Sequence, residues 1–161
     1  MTIKFERNQH GHIVVAVTGL DLTGAQEIAR LEAAKYRLSD WAKSCLLSKA
    51  KDSYDQNQRL VDGQEYKIAL MPGKEIDDRT TENLRKHGME RYGYGKPLAG
   101  IVPRIREAIS DKQMEEMGIW YTAAPHDPIK DFVGDPHVLF AFRFGDGRWL
   151  YTHWGKPGSQ W

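Results

Sequence analysis

The residues best placed to do chemistry crowd one proline-bounded stretch and its exit: His126, Asp127, Asp131, Asp135 and His137, with His153 on the segment that follows. A histidine beside a carboxylate is an oriented general base, and a second histidine across a cleft supplies a general acid. On that reading His126 is the base, Asp127 its orienter and His153 the acid of a small hydrolase, of the kind that cleaves phosphodiesters without a metal. The same side chains include donors for zinc or manganese, but nothing in their spacing specifies a metal site, and no cofactor is implied. Turn chemistry competes with both readings. Aspartate before proline, as in Asp127-Pro128 and Asp135-Pro136, bonds nearby backbone N–H groups in ordinary loops, and a histidine on an apolar strand is more often a satisfied core residue than a catalyst.

A second constellation is electrostatic. From Arg79 to Arg106 lie seven arginines and lysines against Glu82 and Glu90, with Tyr92 and Tyr94 set among glycines. Arg91, Tyr92, Tyr94, Lys96, Arg104 and Arg106 therefore form a candidate basic-aromatic surface for phosphates and stacked bases, or for a protein partner. The next segment, rich in Glu107, Asp111, Glu115 and Glu116, reverses the sign and offers mutual neutralisation instead. His10-Gly11-His12 has the composition of a solvated hairpin tip. Cys45, the single cysteine, lies on an apolar helical stripe and is expected to be buried and inert.

Elements able to hold these residues follow from periodicity. Val138, Phe140, Phe142 and Phe144 recur at period two, and Trp149, Tyr151 and His153 alternate back beyond an Asp146-Gly147 turn. This hairpin is expected to pair Phe144 with Trp149, Phe142 with Tyr151 and Phe140 with His153, giving an aromatic ladder buried as the floor of the core. Ile3 and Phe5 against Ile13, Val15 and Val17 suggest an N-terminal hairpin. Thr23 and Gln26 have capping-box spacing ahead of a long amphipathic helix over 24–51, which Ser39-Asp40 can divide. The polar stretch 51–64 is expected to be a mobile connection and 66–70 a strand. Helices follow over 78–92, over 98–109 and after Ser110, then a strand over 119–123.

Composition bounds the rest. With 161 residues, 40% of them hydrophobic and 28% charged, the chain suits one domain. Its formal net charge of +1 gives no bulk electrostatic case for nucleic acid or anionic lipid, so any such case must be local. A lone cysteine excludes an internal disulfide and agrees with a cytoplasmic protein, and no apolar run approaches a membrane span, so no membrane partner is expected. The expected fold is a single α+β domain over residues 1–161, a mostly antiparallel sheet of five or six strands built from N- and C-terminal hairpins, with helices covering one face. The favoured function is a non-catalytic interaction module that binds a protein or nucleic-acid partner; the hydrolase is the alternative.

Overall fold

The computed structural model describes residues 5–144 and 147–161. Its largest unit is the C-terminal hairpin, β6 (Pro136–Phe144) against β7 (Gly147–Trp154). The pairing is Phe142 with Trp149, Phe140 with Tyr151 and Val138 with His153, displaced by two positions from the expected ladder. Asp146 of the expected turn lies outside the described residues. A two-position displacement preserves side-chain parity, so Phe140, Phe142, Trp149 and Tyr151 still share one face.

Other segments build outward from this hairpin. β4 (Tyr121–Ala123) and β5 (Ile129–Lys130) both pair antiparallel with β6, while β2 (Arg37–Leu38) runs parallel to β7 at its outer edge. A separate two-stranded sheet joins β1 (Ile13–Thr18) to β3 (Glu65–Leu70). The strands therefore divide between a five-stranded and a two-stranded sheet, where one sheet was expected. The expected N-terminal hairpin is reduced to a single bridge from Arg7 to Ile13, and Ile3 lies outside the described residues. β1 takes β3 as its partner because both have apolar residues at alternate positions, so that Val15 meets Ile68 and Val17 meets Tyr66.

The long helix is also divided. α1 (Gly24–Ala33) starts at the Thr23–Gln26 capping box and ends where Lys35 turns left-handed at φ 66°. β2 follows, and Ser39 then caps α2 (Asp40–Leu47) through the Ala42 N–H. The polar connection that follows is not structureless, because Ser53 caps a short helix, α3 (Tyr54–Asn57), whose Tyr54 is buried in the core. α4 (Thr81–Lys86) continues as a wider turn to Arg91; α5 (Ile101–Ala108) carries Pro103 in its first turn, and Ser110 with Gln113 caps α6 (Asp111–Glu116).

One apolar core joins Leu31 of α1, Leu46 of α2, Val102 and Ile105 of α5 and Met114 of α6 to Leu139, Ala141 and Leu150 of the hairpin. α1 and α2 approach so closely that a Cβ on Gly24 would overlap the Leu46 carbonyl, which is why a glycine stands there. The buried side of the hairpin is thus the aliphatic one. Phe140, Phe142 and Trp149 are only half-buried and Tyr151 is 38% exposed, contrary to the expectation of a buried aromatic floor. Packing explains the choice: small and aliphatic side chains such as Ala141 and Leu150 share their space with Leu31 and Pro103, allowing close helix contact that a row of rings would prevent.

Candidate interaction surface

The three residues of the expected acid–base group each bond to different partners. His126 is fully buried beside β6. Its Nδ1–H donates to the Asp127 carbonyl at 2.6 Å, while its Nε2 accepts the Leu139 N–H at 2.9 Å, a ladder position that falls between β4 and β5. The ring therefore replaces a missing strand neighbour, and burial lowers its pKa to about 4. Arg85 fixes the same corner by donating to the carbonyls of Pro125 and His126. The Asp127 carboxylate turns outward to Lys96 Nζ at 2.7 Å, away from the imidazole it was expected to orient. His153 lies on β7, beyond β6 from His126. Its Nδ1 accepts the Trp154 N–H and its Nε2–H donates to the Gln160 carbonyl. Both rings are committed to backbone groups.

Asp131 and His137 do pair, with Nε2 2.9 Å from Oδ2, but as structural groups. Asp131 Oδ1 also accepts the N–H groups of Val133 and Asp135, and these bonds hold its carboxyl below the usual range against the effect of burial. The His137 ring is sandwiched between Trp41 and Trp154.

The basic-aromatic set is likewise split. Arg104 is buried against Glu27, with Glu107 beside it, and Arg106 is buried with bonds to the Ile109 carbonyl and Asp111. Both long side chains thus tie α5 to its neighbours and leave the surface. Burial raises Glu27 to about 7, an effect larger than the opposing pull of Arg104. Arg91 stays at the surface, its guanidinium 5.7 Å from the Tyr92 ring centre, and Lys96 is drawn to Asp127. The two tyrosines join a polar cluster. Tyr92 donates to Glu75, as do His12 and His87 through Nε2, and Tyr94 bonds His12 Nδ1 at 2.7 Å. These donors lower the Glu75 pKa despite its partial burial. The tyrosine hydroxyls are therefore satisfied within the protein, and both rings pack against His10 and His12 in tilted or T-shaped contacts. Cys45 is buried as expected, and burial pushes its thiol up to about 12.

The broad surface that these rearrangements leave is the aromatic face of the larger sheet. Tyr121, Phe140, Phe142, Trp149 and Tyr151 project from β4, β6 and β7 at paired positions. Phe142 and Trp149 lie parallel at 6.1 Å, Phe140 and Phe142 stack at 5.7 Å, and Arg37 extends its guanidinium over Trp149. Trp120 extends the row and is 59% exposed. At the opposite end the C-terminal segment folds back: Trp161 meets His153 at 4.3 Å and Phe140 edge-on at 5.7 Å, while its indole N–H donates to Thr81. The segment is held there by backbone bonds to Arg79, Thr81 and Glu82.

Sequence reasoning assigned these rings to the core, because alternation shows that two faces exist without showing which is covered. One signal was available: from Val138 to Phe142 the strand is apolar on both faces, so the outward face was bound to be apolar too. Among the described residues no helix is long and apolar enough to cross a membrane, and no group of histidine, cysteine, aspartate or glutamate side chains has the arrangement of a metal site. No protein-family model, no curated protein and no solved structure matches this chain.

Proposed function

We propose that this chain is a non-catalytic interaction module of the cytoplasm that docks a protein partner on the aromatic face of its sheet, with its helices gathered on the other face. The observation that carries the reading is the inverted placement of side chains in the hairpin. Aliphatic Leu139, Ala141 and Leu150 are buried while the much larger Phe140, Phe142, Trp149 and Tyr151 remain partly in water. A contiguous, half-exposed aromatic surface of this kind is costly for a free monomer and typical of a binding site. A protein partner is favoured over nucleic acid by charge. Tyrosine, tryptophan, phenylalanine and arginine are the residues enriched at the centres of protein interfaces, and Arg37 over Trp149 completes that set. A phosphate backbone instead needs a row of cations, and Arg104 and Arg106, two that the basic segment was expected to supply, are buried in ion pairs.

The test places a photo-crosslinking amino acid at Tyr151, with exposed Val61 as the control position, and irradiates cells producing each variant. The expected result is a discrete adduct with one protein at Tyr151 that is absent at Val61. In parallel, labelled single-stranded DNA and RNA are expected to show no anisotropy change at low salt. No adduct at Tyr151 above the control, or oligonucleotide binding that falls steeply with salt and weakens in Tyr151→Ala, would overturn the reading.

A further inference from the structure

The smaller sheet ends in an edge strand, because among the described residues β3 pairs with β1 alone. The direction of its free backbone groups follows from the ladder. The Asn8 N–H donates to the His12 carbonyl and the Val14 N–H to the Glu6 carbonyl, so His12 and Val14 turn these groups away from β3. Ile13, Val15 and Val17 therefore bond Leu70, Ile68 and Tyr66, and the N–H and C=O groups of Glu65, Lys67 and Ala69 point outward from the sheet. The chain leaves this edge clear at both ends. Before β3 the Gly63 N–H donates to the Gly19 carbonyl and the Gly19 N–H to the Gln64 carbonyl, which carries the turn toward β1. After β3 the chain brings Glu75 to His12, at the start of β1.

The same positions carry charge. Tyr66, Ile68 and Leu70 pack against the core, whereas Glu65 and Lys67 are exposed on the opposite face of β3. Across the ladder they face Thr18 and Ala16, which carry no charge. Among the described residues neither Glu65 nor Lys67 makes a side-chain hydrogen bond or an ion pair. Both charges thus stand on the two residues whose backbone groups also lack a partner.

Opposite charges two residues apart at outward-bonding positions are self-complementary in one antiparallel register. A twofold axis between two copies of Tyr66 sets Glu65 against Lys67 of the second copy, and Lys67 against Glu65 of the second copy. Each of these is a hydrogen-bonded pair, so it exchanges backbone bonds and joins opposite charges at once. Moving the axis to Glu65 or to Lys67 opposes like charges, and moving it to Ile68 leaves both charges unpaired. We infer that the free edge of β3 is a self-association surface, on which a second copy of the chain adds its own β3 antiparallel and continues the sheet across the twofold axis. Charge complementarity is what selects a second copy as the occupant and Tyr66 as the centre of the register.

The experiment is sedimentation velocity of the purified chain over a concentration series, at low and at high salt. Wild type is expected to form a reversible dimer with a Kd of about 100 μM, as befits a short strand pair at the small end of specific interfaces, and to dissociate as salt rises. The amide resonances of Glu65 and Lys67 should shift over the same concentration range. Glu65→Lys and Lys67→Glu are each expected to weaken the dimer by about tenfold or more, because each opposes like charges across the axis. Their melting curves should match wild type, since both side chains are exposed and unpaired. An equimolar mixture of the two variants is expected to regain the dimer, each supplying the charge that the other lacks. A wild type that stays monomeric up to about 1 mM overturns the inference. Undiminished association of either single variant overturns it as well, and so does a mixture that stays monomeric. A dimer kept in Lys67→Glu but lost in Tyr151→Ala would move self-association to the aromatic face and also overturn it. The crosslinking result at Tyr151 concerns the larger sheet, so either proposal can fail while the other stands.

Discussion

Leu139 and Phe140 are neighbours on β6, yet they belong to different environments. The first lies in the core that the hairpin shares with α1, α2 and α5; the second stands in a row of rings that are half in water. The same division runs through β7, where Leu150 is buried and Tyr151 is exposed. The comparison shows that hydrophobic size does not decide which face of a sheet is covered. Close helix packing rewards side chains that fill the shared space without holding the layers apart, and the bulkier set is left for another purpose.

The largest effect that can break this comparison is in the core. Leu139→Ala should cost about 2 to 5 kcal/mol, because the surrounding helices cannot fully close the cavity. Urea midpoints measure this, and a cost below that of Phe142→Ala would reverse the assignment of faces.

A second prediction sharpens the core side by its buried titrating groups. Glu27 is raised from its ordinary value of 4.5 to about 7, so its contribution is fully present below 4.5 and is lost as pH rises through 7. His126 is lowered from 6.5 to about 4, so its contribution is present above 6.5 and lost as pH falls through 4. Each shift corresponds to about 3 kcal/mol at its limit, with opposite signs, so between pH 4.5 and 6.5 the two nearly offset. Glu27→Gln should therefore become less stable as acid is added across that window, and His126→Asn less stable as base is added. Slopes of the same sign in both variants would contradict the burial of one of the two groups.

How much of this was legible in the sequence differs by element. The hairpin strands, the capping boxes at Thr23 and Ser110 and the Pro103 helix were readable because each depends on neighbours within a few residues. β2 was not, since two residues acquire strand character only by lying parallel to β7, more than a hundred positions away. The basic segment misled for a related reason. Arg104 resembles a surface charge until Glu27 of α1 is brought to it, and Arg106 until the chain turns back at Asp111. His126 likewise gains its role only from the Leu139 N–H, which β4 and β5 leave without a strand partner.

Smaller effects belong to the aromatic face. Phe142→Ala should cost about 1 kcal/mol, well short of the 3 to 5 typical of a fully buried phenylalanine, because part of the ring already contacts water. Tyr151→Ser should shift stability by no more than about 0.5 kcal/mol while removing the crosslinked partner's contact, which separates binding from folding in one variant.

The central claim, that the rings face outward and the aliphatic residues inward, is tested most directly by thiol labelling of the native protein. Cys45 is buried and supplies an unreactive background. Tyr151→Cys and Phe142→Cys should react with a maleimide reagent under native conditions, whereas Leu150→Cys should react only when the protein is unfolded. Native labelling of Leu150→Cys with protection at the two aromatic positions would contradict the account.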